Sequence, residues 1–340
     1  MNTFTIEKTT LKADPIKTDR LVISSHPNEY EVLFQKFTNT FSDSEVVLVD
    51  ANVQRLYNIQ HSKLIIVEAI EANKNIDTVL SVCENLLNFG FDRGDTLIVI
   101  GGGIVQDIGA YTAKTFKRGI NWVFYPTTLL SQCDSCIGGK TALNFKTYKN
   151  QLALFSAPNK VVIDTNFLNT LAAVDILSGH GEIVKLFLTG GDFYMDNFDL
   201  FDLETKIYHS LSIKKAVVEF DEFELLERKS LNYGHSFGHA IEAITNYKIP
   251  HGEAVLLGIE IINKLFTNSD VTSSIVGKFT DLSRLKGISA EELVNAMKTD
   301  KKVANGIISL VLVPRPGTTI FIKQPFTNDL TQRVHEVLTN

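Results

Sequence analysis

The chain has 340 residues, 44% hydrophobic and 21% charged, enough to bury a sizeable core and to form two domains. A formal net charge of −6 gives no electrostatic reason to expect a nucleic acid or an anionic membrane as partner, so any phosphate recognition has to be local. No apolar run approaches the roughly 20 residues of a membrane helix. The charged N-terminus does not read as a secretory signal, and three cysteines point to a reducing, cytoplasmic setting rather than a disulfide framework.

In chain order, β-branched runs alternate with an amphipathic stretch: EVVLVD (45–50), KLIIVE (63–68), IDTVLSVCENLLNFGF (76–91), TLIVI (96–100), NWVFYP (121–126) and KVVID (160–164). Strands separated by helical segments require crossover connections, which predicts a mainly parallel sheet covered by helices, an α/β nucleotide-binding layout. From about Leu171 helical periodicity takes over, in ILSGHGEIVKLFL (176–188), IYHSLSIKKAVVEF (207–220), SFGHAIEAITNY (236–247) and EAVLLGIEIINKLF (253–266). The expected organisation is therefore α/β plus α: residues 1–170 as a parallel-sheet domain and 171–340 as a mainly helical one. The late segment GIISLVLVPRPGTTIFIK (306–323) predicts one or two strands, as a hairpin beside the helices.

Three segments carry chemistry. In TLIVIGGGIVQDIGAYTAKTFKRG (96–119) a strand runs through Gly101, Gly102 and Gly103 into a helix, where backbone amides can approach phosphate oxygens. The spacing departs from G-x-G-x-x-G, so a standard Rossmann turn is not supported, and a tight strand-to-helix turn is the plain alternative. YPTTLLSQCDSCIGGKTALNFKTYKN (125–150) gathers Thr127, Thr128, Asp134, Lys140, Lys149 and Asn150 around another glycine pair, suited to an anionic, polyhydroxylated ligand or to a solvated loop. Its Cys133-Asp-Ser-Cys136 matches a C-x-x-C redox spacing, but two small buried side chains are the preferred reading.

The third segment, ERKSLNYGHSFGHAIEAITNYKIPHGEAV (227–255), is the most informative. On a helix Arg228, Asn232, His235 and His239 share one face, where a core stripe would carry Leu or Val. Such a face is costly to bury unless it lines a polar site, and histidines at this spacing, with His251 following, are natural metal ligands. Two histidines alone make a weak site; Glu182, with Lys185 one turn later, offers the missing carboxylate. A His-His-Glu set leaves positions open for substrate and suits zinc or another borderline ion such as cobalt.

With these motifs in hand, the chain resembles the dehydroquinate synthase family of sugar phosphate cyclases, from about Asp50 to Asp300-Lys301-Lys302. The markers are GGGIVQDIGAYTAKTFKRG, PTTLLSQCDSCIGGKT, a glutamate three residues before a lysine, and LNYGHSFGHAIE followed by HGEAV. The resemblance implies an N-terminal NAD-binding domain, a C-terminal helical metal-binding domain, an active site in the cleft and a homodimer. It implies Glu182, His235 and His251 as metal ligands, with His239 as a substrate contact. Asp50, Asn52, Glu71, Lys74, Gly102, Gly103, Ile104, Asp107, Thr127, Thr128, Asp134, Lys149, Asn150, Phe167, Thr170 and Leu171 match cofactor-contacting positions. Lys140, Asn150, Lys185, Lys214, Arg228, Asn232, His239 and Lys301 match substrate positions, and Arg118 matches an arginine that reaches the substrate phosphate of a neighbouring subunit.

The implied reaction converts 3-deoxy-arabino-heptulosonate 7-phosphate to 3-dehydroquinate and phosphate, a step of the shikimate pathway towards aromatic amino acids. It proceeds by transient oxidation at C5 with NAD, phosphate elimination, return of the hydride, ring opening and intramolecular aldol closure, with Zn2+ or Co2+ polarising the C5 oxygen. Rival readings are a cyclase of secondary metabolism acting on sedoheptulose 7-phosphate or an amino analogue of the heptulosonate, and a metal-dependent polyol dehydrogenase that would release NADH. Arg228, Lys214 and Asn232 favour a keto-acid over a neutral ketose. The chain departs from the family pattern at Ser178-Gly179-His180-Gly181, Tyr148, Ile70, Arg55 and Asp175.

Overall fold

A computed structural model describes residues 2–339 apart from 27, 147 and 299–302. Alternating buried and exposed residues in NTFTI and TTLKA form two antiparallel strands, β1 (Asn2–Ile6) and β2 (Thr9–Ala13). They do not belong to the sheet domain that follows. The chain divides into two compact units, Thr18–Ala172 on one side and Met1–Lys17 with Ala173–Asn340 on the other. The expected grouping of residues 1–170 is corrected at its start, because β1 pairs in parallel with a strand more than 300 residues later, a long-range pairing that local patterning does not report.

The first unit contains β3 (Arg20–Ile23), β4 (Tyr30–Phe34), β5 (Glu45–Asp50), α1 (Ala51–Tyr57), β6 (Leu64–Val67), α2 (Ile76–Asn88), β7 (Thr96–Gly101), α3 (Gly103–Thr115), β8 (Asn121–Pro126), the hairpin of β9 (Lys140–Phe145) and β10 (Tyr148–Phe155), and β11 (Lys160–Ile163). Seven strands form one sheet in the order β3-β4-β11-β8-β7-β5-β6, parallel except for the β3–β4 pair. The central strands read as continuous apolar runs because both faces are covered: Val46, Val47, Leu48 and Val49 are all 0% exposed. Val47, Val49, Val53, Ile59, Ile98, Ile100 and Phe167 form one core cluster of this unit. The 140–150 segment, open between site and loop on sequence grounds, is thus largely strand, with Thr147 outside the described residues.

The second unit continues with α4 (Ala173–Gly190), α5 (Asp192–Asp196), α6 (Leu203–Phe220), a 3-10 turn at Glu227–Asn232, α7 (His235–Ile244), α8 (His251–Phe266), α9 (Asp270–Val276), α10 (Ala290–Met297), β12 (Val303–Ala304), β13 (Ile307–Arg315), β14 (Thr318–Pro325) and α11 (Asn328–Thr339). Local signals start several of these helices. The Asp202 side chain accepts from Thr205 N at α6, and Ser289 with Glu292 forms a capping box at α10. The predicted hairpin is β13–β14, joined by β12, β1 and β2 in a five-stranded sheet of order β12-β13-β14-β1-β2. The unit is mainly helical but carries a sheet of its own.

One local expectation fails. Arg228, Asn232, His235 and His239 do not share a helix: the 3-10 turn ends at Asn232, Gly234 is left-handed at φ +77°, and α7 begins at His235. A Cβ at Gly234 would lie 2.5 Å from the Val255 carbonyl oxygen, so α8 packs directly on this break.

Candidate active site

The metal-ligating candidates converge because α4 and the start of α8 approach to backbone contact. A Cβ on Gly181 would meet the Gly252 oxygen at 2.1 Å, and one on Gly252 would meet the Ser178 oxygen at 1.8 Å. Gly252 N donates to Ser178 Oγ at 3.0 Å, fastening the two helices. One turn along α4 from Ser178, Glu182 faces His251, the first residue of α8; His235 enters as the first residue of α7.

Glu182 and Lys185 are each 2% exposed and form an ion pair one turn apart. Glu182 Oε1 lies 3.1 Å from His251 Nε2 and 3.6 Å from His235 Nε2. Each ring is anchored through its other nitrogen, His235 Nδ1 donating to the Tyr233 carbonyl at 3.1 Å and His251 Nδ1 to Glu242 Oε2 at 3.2 Å. With Nδ1 carrying the proton, each neutral ring turns its Nε2 lone pair towards a carboxylate oxygen, and two acceptors face each other stably only with a cation between them. For His251 burial opposes the charged form, but the hydrogen bonds and charges of Glu182 and Glu242 outweigh it and raise the pKa to about 10. A divalent ion would replace that proton. Ligand atoms of Glu182, His235 and His251 all lie within 4.8 Å of one another, as do those of a second set, His239, Glu242 and His251.

Besides Lys185, the described residues of this unit include the buried cations Lys214, on α6 at 6% exposure, and Arg228, in the 3-10 turn at 1%. The Asp221 carboxylate organises the turn by accepting from the amides of Leu225, Leu226 and Arg228 at 2.9, 2.8 and 3.0 Å. The Arg228 guanidinium donates to the Glu222 carbonyl, and Asn232 Nδ2 to Glu224 Oε1 at 2.9 Å. His239 is exposed on α7. Lys301 lies outside the described residues.

In the sheet unit, Asp50, Gly102, Thr127 and Thr128 fall at or just past the carboxyl ends of the adjacent strands β5, β7 and β8, where ligands bind in open α/β sheets. Asp50 caps α1 through Asn52 N at 2.8 Å, while Gly103 and Ile104 open α3. Asp107, one turn into α3, accepts from Thr141 Oγ1 at 2.9 Å, Ala142 N at 3.1 Å and Lys74 Nζ at 3.1 Å. Lys74, 7% exposed, also reaches Asn150 Oδ1 at 2.7 Å, and Asn144 joins Glu71 Oε1 at 2.8 Å to the Asn150 amide at 3.0 Å. Lys149 Nζ lies 3.9 Å from Glu71 Oε1. Burial raises the Asp107 pKa above the ordinary carboxylate range despite Lys74 and the bonds from Ala142 and Thr141. Glu71, Lys74, Asp107, Lys149 and Asn150, separated in sequence, thus form one network.

Phe167 is buried edge-on to Tyr57, whose hydroxyl lies 3.1 Å from Thr170 Oγ1; Leu171 follows. Asp134 is half-buried in the turn after β8, while Lys140 and Arg118 are exposed, Arg118 at φ +66°. Cys133 and Cys136 are buried, their thiols directed to the carbonyls of Leu130 and Gln132. Sequence reading overlooked Ser178 as a helix clamp, Asn144 and Thr141 as network members, and Glu242. Only Glu242 left a signal, three residues after His239 on the same helix.

The chain thus combines a parallel-sheet unit with a mainly helical unit that holds a His-His-Glu cluster able to take a metal ion. The chain superposes on 2-deoxy-scyllo-inosose synthase complexed with carbaglucose-6-phosphate, NAD+ and Co2+ with a TM-score of 0.81 at 21% identity, covering 94% of this chain and 100% of that one. Against ValA, the 2-epi-5-epi-valiolone synthase from Streptomyces hygroscopicus subsp. jinggangensis 5008 with NAD+ and Zn2+ bound, the TM-score is 0.78 at 23% identity, covering 93% and 98%. The chain belongs to the 3-dehydroquinate synthase family: the family's N-terminal and C-terminal models match residues 64–178 and 179–303. It is 42% identical over 278 residues to the 3-dehydroquinate synthase of Pelagibacter ubique (strain HTCC1062), covering 74% of this chain and 75% of the relative. With that of Vesicomyosocius okutanii subsp. Calyptogena okutanii (strain HA) it shares 38% over 285 residues, covering 78% and 79%.

Proposed function

We propose that the chain is a 3-dehydroquinate synthase, a phosphate-eliminating cyclase that converts 3-deoxy-arabino-heptulosonate 7-phosphate to 3-dehydroquinate and phosphate with NAD and a divalent ion, zinc or cobalt. The observation that carries the reading, beside family membership, is the convergence of Glu182 Oε1 with the Nε2 atoms of His235 and His251 while both Nδ1 atoms are otherwise engaged. One carboxylate and two imidazoles fit a catalytic ion, because they leave coordination positions for substrate oxygens. When bound, NAD supplies a reversible hydride acceptor and the metal a Lewis acid, which together acidify the C–H beside the oxidised carbon.

The chain's own residues then bind, orient and move protons. Lys185 pairs with Glu182 one turn away and fixes its direction. Arg228 and Lys214 take the substrate carboxylate, and their burial strengthens that pairing. Lys140, Asn150 and Arg118 hold the phosphate, Arg118 from a second copy of the chain in a homodimer, while the phosphate's own oxygen serves as base for its departure. His239 and Asn232 hydrogen-bond substrate hydroxyls, with His239 able to pass a proton; Lys301 completes the set. Asp50, Gly102 and Thr127 at the strand ends would hold NAD, supported by the Lys74–Asp107 pair. Three cysteines, an odd and sparse set unsuited to a disulfide framework, support a cytoplasmic setting.

Product identification by NMR over a panel of sugar phosphates tests the assignment. The heptulosonate phosphate yields 3-dehydroquinate and phosphate with catalytic NAD, and absorbance at 340 nm does not accumulate. Turnover of sedoheptulose 7-phosphate alone would move the chain to a sister activity, and stoichiometric NADH release would make it a dehydrogenase.

A further inference from the structure

Both imidazoles of the cluster are held through Nδ1, but by unlike acceptors. For His235 the acceptor is the carbonyl of Tyr233, two residues away in its own backbone. For His251 it is a charged side chain from another helix, Glu242 Oε2 of α7 at 3.2 Å, with the Glu242 side chain 13% exposed. A carboxylate only accepts, so this bond puts the proton of the neutral His251 ring on Nδ1 and the lone pair on Nε2, the nitrogen 3.1 Å from Glu182 Oε1.

We propose that Glu242 is a positioning residue of the metal centre: it fixes the tautomer and ring direction of His251 so that Nε2 ligates the ion, and is not itself a ligand. The inference rests on the reading of Glu182, His235 and His251 as a metal site. The competing arrangement puts the ion among His239, Glu242 and His251, whose donor atoms also lie within 4.8 Å of one another. Glu182 and Glu242 engage opposite nitrogens of one ring, so the ion occupies one side. The Glu182 side supplies a carboxylate 2% exposed and reached by the Nε2 atoms of two rings, whereas the other side relies on the exposed His239. A carboxylate on the remote nitrogen raises the basicity of the ligating one, and losing such a partner costs 10–100-fold in metal affinity.

The test is Co2+ and Zn2+ binding to the metal-stripped full chain, by chelator competition and by the visible d–d spectrum of Co2+, with apoprotein melting as a control. Glu242→Ala weakens both ions about 10–100-fold with the cobalt band shape kept. Glu242→Gln, whose amide oxygen still accepts from Nδ1–H, loses less, and both apoproteins melt close to the parent. Unchanged affinity in Glu242→Ala, or a band shape altered as by loss of a ligand, overturns the proposal, as does a fall in affinity in His239→Ala matching that in Glu242→Ala. A parent chain that binds neither ion, or whose affinity is indifferent to Glu182→Gln and His235→Ala, fails the metal reading itself and the proposal with it.

Discussion

His209 and His251 are both histidines of the helical unit, and their surroundings drive them in opposite directions. Two carboxylates carry His251 up to about 10, against its burial. His209, 2% exposed and ringed by Phe193, Tyr194, Phe201 and Tyr208, is lowered to about 4, chiefly by burial, with the backbone of Asp14 opposing and Lys17 assisting. Because its folded pKa lies below the unfolded value of 6.5, the unfolded chain binds more protons between the two. The neutral ring's contribution is complete above about pH 6.5, is lost as pH falls towards 4, and is flat below, for a total of about 3 kcal/mol. His209→Gln, which can keep the bond to the Asp14 backbone and does not titrate, flattens that part of the stability–pH curve. Denaturant unfolding at several pH values measures it, and an unchanged slope would assign the acid sensitivity elsewhere. The sequence marks His209 only as one histidine in an amphipathic run; its ring of aromatics comes from two separate helices and the segment between them.

At the scale of elements, the proposed metal cluster depends on a backbone crossing. Gly181 and Gly252 allow α4 to reach the first turn of α8, and Ser178 ties the crossing with a hydrogen bond to the Gly252 amide. A methyl at either glycine meets backbone, which cannot rotate aside, so Gly252→Ala costs about 3 kcal/mol of the helical unit's stability or more and moves His251 away from Glu182. Far-UV circular dichroism melts and metal titration read the two effects; a variant matching the parent in both would show that the helices have room. The helices themselves are visible in the sequence because apolar periodicity and caps such as Asp202 and Ser289 are local. The interruption at Gly234 is not, since a helical reading accommodates a glycine until α8 is seen to occupy the space of its missing side chain. The departure Ser178-Gly179-His180-Gly181, an anomaly in one dimension, becomes the clamp in three.

For the whole molecule, the proposed cofactor and metal residues divide between the two compact units, Thr18–Ala172 holding the Lys74–Asp107 network and Ala173–Asn340 the Glu182 cluster. His235→Ala therefore abolishes turnover and tight metal binding but leaves NAD affinity within a few-fold of the parent, as equilibrium titration of NAD fluorescence quenching or calorimetry would record. Equal loss of both affinities would mean that His235 acts on the cofactor as well.

The sequence by itself determined the alternation of strands and helices to about residue 170, the helical character beyond it, the late hairpin, and the residue types of the proposed His-His-Glu metal site. All of these rest on short-range periodicity or on side-chain chemistry that needs no partner to be recognised. Tertiary structure alone decided that the first strand pairs with β14, that the 227–239 stretch is two elements rather than one helix, and that Glu242 stands behind His251. Each of these depends on residues brought together by packing, and neither strand pairing over 300 residues nor the direction of an imidazole ring leaves a period in the chain. The proposed metal ligands stand between the two cases: their chemistry is legible in one dimension, but the 3.1 Å approach of Glu182 to His251 exists because two glycines let two helices touch.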